Sequence, residues 1–142
     1  MGGSTLERHV AYSATQMFDL VLDVERYREF MPFGFGARVL SRGVDAMQSV
    51  QHLNVGPFHL QFETHARYFR PDWVEVRSDS DAFRRFILDW RFGDVDRGCD
   101  IRVTADCVPN SLLLAAFLRP WTGSFAGSLV SAFERRAKAI YG

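Results

Sequence analysis

The clearest pattern along the chain is a strict alternation from Phe58 to Tyr68. Phe58, Leu60, Phe62, Thr64, Ala66 and Tyr68 share one side, and His59, Gln61, Glu63, His65 and Arg67 share the other. A period of two over that length predicts a strand with one face toward a core. The same period recurs at 85–92, where Phe86, Leu88, Trp90 and Phe92 oppose Arg85, Asp89 and Arg91. It recurs again at 99–108, with Ile101, Val103, Ala105 and Cys107 inward. Weaker strand-like runs cover 6–12, 36–42, 46–55 and 73–79, punctuated by Gly43-Val44-Asp45, Gly56-Pro57 and Arg70-Pro71-Asp72. Ser13, with Gln16 three residues later and Met17, Phe18, Leu20 and Val21 following, reads as a capping-box helix start. Asp23 can cap a second short helix that presents Tyr27 and Phe30 on one side and ends at Pro32.

After Pro109-Asn110-Ser111 the period changes. Trp121, Phe125, Leu129, Phe133, Ala137 and Ile140 stand at helical spacing. A short turn or helix is expected at 112–118, then a main helix from about Pro120 to Ile140, with Pro120 in its first turn. The order is a strand, two short helices, six meandering strands and a long last helix. That order predicts an α+β fold in which a curved antiparallel sheet turns its apolar face toward the C-terminal helix. A length of 142 residues predicts one domain over 1–142.

Composition sharpens the question of what fills that space. The chain holds 13 Phe, 3 Trp and 4 Tyr, enough either to fill a large core or to line an apolar cavity. Net charge is zero and the pI is near 6.9, which gives no global drive toward DNA or an anionic membrane. Cys99 and Cys107 would lie roughly 26 Å apart on one strand, too far to pair. Two free thiols fit a reducing compartment. The N-terminus shows no apolar signal segment, and Leu112–Leu118 is far short of the ~20 residues of a membrane span. No nucleophile-elbow, metalloprotease, phosphate-loop or dinucleotide pattern appears. His59, Glu63 and His65 share a strand face, but His59 and Glu63 would be about 13 Å apart, too far for one ion. A solvated outer face is the expectation there, with no metal and no catalytic residue. Arg135, Arg136 and Lys138 sit near a helix C-terminus, where cations meet the helix dipole favourably.

Three segments carry a resemblance: Asp23-Val24-Glu25-Arg26-Tyr27-Arg28-Glu29-Phe30-Met31-Pro32; Phe83-Arg84-Arg85-Phe86 with Trp90-Arg91-Phe92; and Ala132 to Gly142. With the predicted element order, they resemble the coenzyme Q-binding protein family of START-like (polyketide cyclase-like, SRPBCC) domains. The bacterial branch of that family includes ribosome-association toxins. The resemblance implies a helix-grip fold and no catalytic cofactor. It also implies a polyprenyl quinone (ubiquinone) held between sheet and last helix by a carrier that supports respiration. The cavity-lining candidates are then Phe30, Phe33, Phe58, Phe62, Phe86, Trp90, Leu118, Trp121, Phe125, Leu129 and Phe133. An isoprenoid tail burying about 400 Å² would gain on the order of 10 kcal/mol before association costs. Leu112–Leu118 either packs across the cavity end or acts as a lid or transient membrane contact, with Arg119 at headgroup level. The implied setting is the bacterial cytoplasm, peripheral at the inner membrane. The alternative partner is the large ribosomal subunit, in a toxin-like protein that inhibits translation. A cyclase-like enzyme is the third reading, and it would need an inward-facing acid–base pair.

Overall fold

A computed structural model describes residues 3–31, 34–122 and 125–142, with side chains at 3, 4, 55, 118–122 and 125 outside the description. Seven antiparallel strands form one sheet: β1 (Gly3–Val10), β2 (Gly36–Arg42), β3 (Ala46–Val55), β4 (Phe58–Phe69), β5 (Trp73–Arg77), β6 (Phe83–Val95) and β7 (Gly98–Pro109). Their spatial order is β1-β7-β6-β5-β4-β3-β2, so β2 to β7 form a meander and β1 closes onto the last strand. Helix α1 (Ala14–Leu22) and a 3-10 turn at Val24–Glu29 join β1 to β2, and α2 (Leu112–Thr122) and α3 (Phe125–Tyr141) follow β7. The sheet curved around α3 is the arrangement expected from the element order, and it is the helix-grip fold that the resemblance implies.

Alternation decides which face each strand buries. On β4, Phe62, Thr64, Ala66 and Tyr68 are buried, while His59, Gln61, Glu63, His65 and Arg67 are exposed. On β7, Cys99, Ile101, Val103, Ala105 and Cys107 are buried. The convex face carries cross-linked charges such as Arg85 to Asp106 at 2.9 Å and Arg91 to Asp89 at 3.1 Å. Exposed pairs like these contribute only about 0–1 kcal/mol each.

The helix start at Ser13 is a complete capping box. Ser13 Oγ accepts from the Gln16 backbone N–H at 3.1 Å, and Gln16 Oε1 accepts from the Ser13 N–H at 2.9 Å. This cap requires the chain to leave the sheet before Ser13. Strand β1 therefore ends at Val10, not at 12, and extends toward Gly3. Asp23 precedes the 3-10 turn without a side-chain capping bond.

Helix α3 packs on α1, β1 and β7 through Ala126, Leu129, Val130, Phe133 and Ala137, all buried. Ile140 continues the same spacing but is 48% exposed. Two polar ties hold α3. Arg8 on β1 donates to Ser131 Oγ at 2.9 Å. Arg136 donates to Glu29 Oε1 at 2.9 Å and lies 5.2 Å from the Phe30 ring centroid. Arg26 and then Arg136 hold the Glu29 carboxyl below its ordinary range.

The helical stretch around Pro120 differs from the sequence expectation of a short element at 112–118. Helix α2 runs through Pro120 to Thr122, and α3 begins at Phe125. A proline removes one backbone donor and crowds the carbonyl four residues back. Helix α2 carries that cost and continues through Pro120.

Candidate functional site

The concave face of the sheet and α3 meet at one end, and at the other no described helical side chain reaches the aromatic cluster of the sheet. At the first end Phe133 packs edge-on to Tyr27, Phe30 and Trp90, with ring centroids 5.4, 5.4 and 5.3 Å away. Trp90 in turn stacks on Phe92 at 6.0 Å, and Phe92 meets Phe18. This end is continuous core. At the other end Phe62, Phe83 and Phe86 pack on one another at 5.0 to 5.4 Å. Their cluster also holds Cys107, and among the described residues no helical side chain joins it. Between the two ends lies a partly open cavity of about 80 Å³.

Five of the sequence candidates line this cavity: Phe62, Phe86, Trp90, Leu129 and Phe133. Phe30 lies behind Phe133 and under Arg136. Phe58 packs against Phe117 of α2 at 5.7 Å. Phe33 and the side chains of Leu118, Trp121 and Phe125 lie outside the described residues, as does that of Arg119.

Phe83 was not among the candidates, since the strand was expected to begin at 85. A bulge between Phe83 and Arg85 shifts the register and turns Phe83 and Phe86 to the same side despite their odd spacing. Ser49 and Gln51 were also missed. They continue the inward set of β3 between Met47 and Leu53, and two polar residues in mid-strand hide that period. The cross-strand partner of Ser49 is Thr64.

These three side chains form the polar spot in an otherwise apolar cavity. All three are buried, at 1%, 6% and 2% exposure for Ser49, Gln51 and Thr64. Ser49 Oγ and Thr64 Oγ1 share a hydrogen bond of 2.8 Å, and Gln51 Nε2 donates to Thr64 Oγ1 at 3.0 Å. Among the described residues the second Gln51 amide hydrogen and its carbonyl oxygen have no protein partner. Leaving a buried amide group unpaired costs about 1–3 kcal/mol.

No Asp, Glu, His, Lys or Arg stands among the described lining residues; the titratable ones are Tyr27 and Cys107. Burial, then the nearby Asp23 charge, raises the Tyr27 phenol well above its ordinary range, and its hydroxyl donates to the Val21 carbonyl. Burial, then Asp106, pushes the Cys107 thiol up to about 12. Both groups stay protonated at neutral pH. Cys99 and Cys107 are free thiols. His59, Glu63 and His65 are exposed on the convex face, with His59 bonded to Asn54 and His65 to Gln48. Among the described residues no group of three His, Cys, Asp or Glu side chains is placed to hold a metal ion.

Helix α2 covers the end of the β3–β4 hairpin. Its Leu114 is buried against Leu53, with Phe35, Phe58 and Leu60 around them; Leu53 and Phe35 also line the cavity. Gly56 in the hairpin turn has φ +54°, and a Cβ there would come within 2.5 Å of the Phe117 ring, so that turn fits only glycine beneath α2. On its outer side α2 exposes Leu112 at 93% and Leu113 at 60%. No described helix is long and apolar enough to cross a membrane.

Comparison with known proteins agrees with this geometry. A family model described as "Polyketide cyclase / dehydrase and lipid transport" matches residues 10–134. The ribosome association toxin RatA of Pseudomonas aeruginosa is 29% identical over 132 residues, covering 92% of each chain. The mitochondrial coenzyme Q-binding protein COQ10 of Dictyostelium discoideum is 24% identical over 148 residues, covering 96% of this chain and 69% of that protein. The crystal structure of the Zhui aromatase/cyclase of Streptomyces sp. R1128 superposes with a TM-score of 0.74 at 16% identity, over 99% of this chain and 98% of that one. The chain belongs to the polyketide cyclase/dehydrase and lipid-transport family.

Proposed function

We propose that, as a member of this family, the protein is a non-catalytic carrier for a polyprenyl quinone of the ubiquinone type, held between the concave sheet and α3 and delivered to respiratory electron transport. The observation that carries the reading is the apolar cavity between Trp90–Phe133 and the separate Phe62–Phe83–Phe86 cluster. The similarity to a protein named for coenzyme Q binding supports the choice of ligand. Among the described lining residues the titratable groups are a phenol and a thiol, both firmly protonated, which supports carriage over cyclase chemistry that needs a group exchanging protons near neutrality.

At about 80 Å³ the cavity is far below the ~300–1,000 Å³ of ordinary ligand pockets. Loading a polyprenyl quinone therefore requires the covering helices to move away from the sheet. Helix α2 is placed for this, with Leu114 as the inner plug. Leu112 and Leu113 are exposed as the surface that meets a peripheral membrane during exchange. Titration with a short-tailed ubiquinone analogue tests the proposal, because quinones quench indole fluorescence and Trp90 lines the cavity. Saturable quenching is expected; the absence of saturation across the soluble range contradicts it.

The relatives named ribosome association toxins motivate a second reading, in which this chain binds the large ribosomal subunit. Arg26, Arg28, Arg38 and His52 line one surface groove that could meet RNA phosphates. Cosedimentation with large subunits at physiological salt decides it: a shift supports ribosome binding, and an unshifted protein removes it.

A further inference from the structure

The quinone reading leaves Gln51 unexplained. Apolar burial alone would favour Leu or Met at this position of β3, flanked inward by Met47 and Leu53. Instead an amide side chain is 94% buried, by its 6% exposure. It faces the cavity with one N–H used by Thr64 and its remaining donor and acceptor free among the described residues. Groups left free in this way in a native interior point to a partner that the protein itself does not supply.

We propose that Gln51, braced by Thr64 and Ser49, is a headgroup subsite that selects a neutral, oxygen-bearing ring on an apolar body and rejects ionised lipids. This rests on the carrier reading and adds the ligand class. The free Gln51 N–H suits a ring carbonyl or ether oxygen, and its carbonyl suits a ring hydroxyl, so both oxidation states of a quinone fit. Thr64 Oγ1 fixes the amide by accepting from it, while the Ser49 hydroxyl completes the Thr64 hydrogen bonding. With no charged side chain among the described lining residues, a carboxylate or phosphate head would enter uncompensated.

The test compares three probes of matched tail on the full-length protein: decyl-1,4-benzoquinone, decylbenzene and, at pH 8, decanoate. The quinone is expected to bind about tenfold tighter than decylbenzene, the discrimination given by roughly one well-made buried hydrogen bond, and decanoate is expected to bind least. In Gln51→Leu the quinone affinity should fall to that of decylbenzene, with decylbenzene bound as well as before. The thermal midpoint should not fall, whereas a merely structural amide would lower it. Thr64→Val, which frees the amide to rotate, should reduce the same preference. A quinone bound no tighter than decylbenzene overturns the subsite and leaves the apolar carrier standing. Decanoate bound as tightly as quinone, or an undiminished preference in Gln51→Leu, also overturns it. Failure of both quinone and decylbenzene to bind removes the carrier reading and the subsite together.

Discussion

Phe133→Ala is expected to lower the unfolding free energy by about 3–5 kcal/mol, the cost of emptying a well-packed aromatic site. Phe133 is 1% exposed and joins three elements at once. Its ring meets Tyr27 of the 3-10 segment, Phe30 just after it and Trp90 of β6. The backbone on both sides is fixed by helix and sheet, so the space cannot collapse. Urea denaturation measures the change. A loss below about 1 kcal/mol would mean that α3 is loosely held at this end, and that the cavity is not bounded there by rigid core.

Val76→Trp should do the opposite, abolishing ligand binding while leaving most of the stability. Val76 lies on β5 between Ala66 and Leu88. It touches both the main core and the Phe62–Phe83–Phe86 cluster, which puts it in the middle of the gap. An indole there occupies the cavity of about 80 Å³ and blocks its expansion. Overpacking of this kind costs about 1–3 kcal/mol. Affinity for a short-tailed quinone should fall at least a hundredfold, equivalent to about 2.8 kcal/mol. Fluorescence titration and denaturation of the same variant give both numbers. Unchanged affinity would place the ligand outside this cavity.

The contrast between these two positions shows what was legible in the sequence. Strands β4, β6 and β7 could be read because each buries one face, so period two is written in Phe, Trp and Val. The capping box at Ser13–Gln16 is a local bond pair and needs no tertiary context. The continuation of α2 through Pro120 could not be read, because a proline favours a first turn and disfavours a helix interior, and its local signal pointed to a helix start. The Phe83 register depends on a bulge, which is set by pairing with β7 and not by the spacing of residues 83–86. Ser49 and Gln51 broke the apolar pattern of β3 and so hid themselves. Above all, a count of aromatic residues does not distinguish core from cavity. Tyr27, Trp90 and Phe133 are core by contact, whereas Phe62, Phe83 and Phe86 belong to a face that α3 does not reach among the described residues.

That division makes the occupant of the gap the central question. The protein should be purified from cells without detergent exchange, extracted with organic solvent, and the extract analysed by mass spectrometry against an equal mass of Val76→Trp protein. A polyprenyl quinone recovered in amounts approaching one per chain from the wild type, and lost from Val76→Trp, is the result predicted. An extract with no quinone, or the same lipids in the same amounts from both proteins, would contradict it.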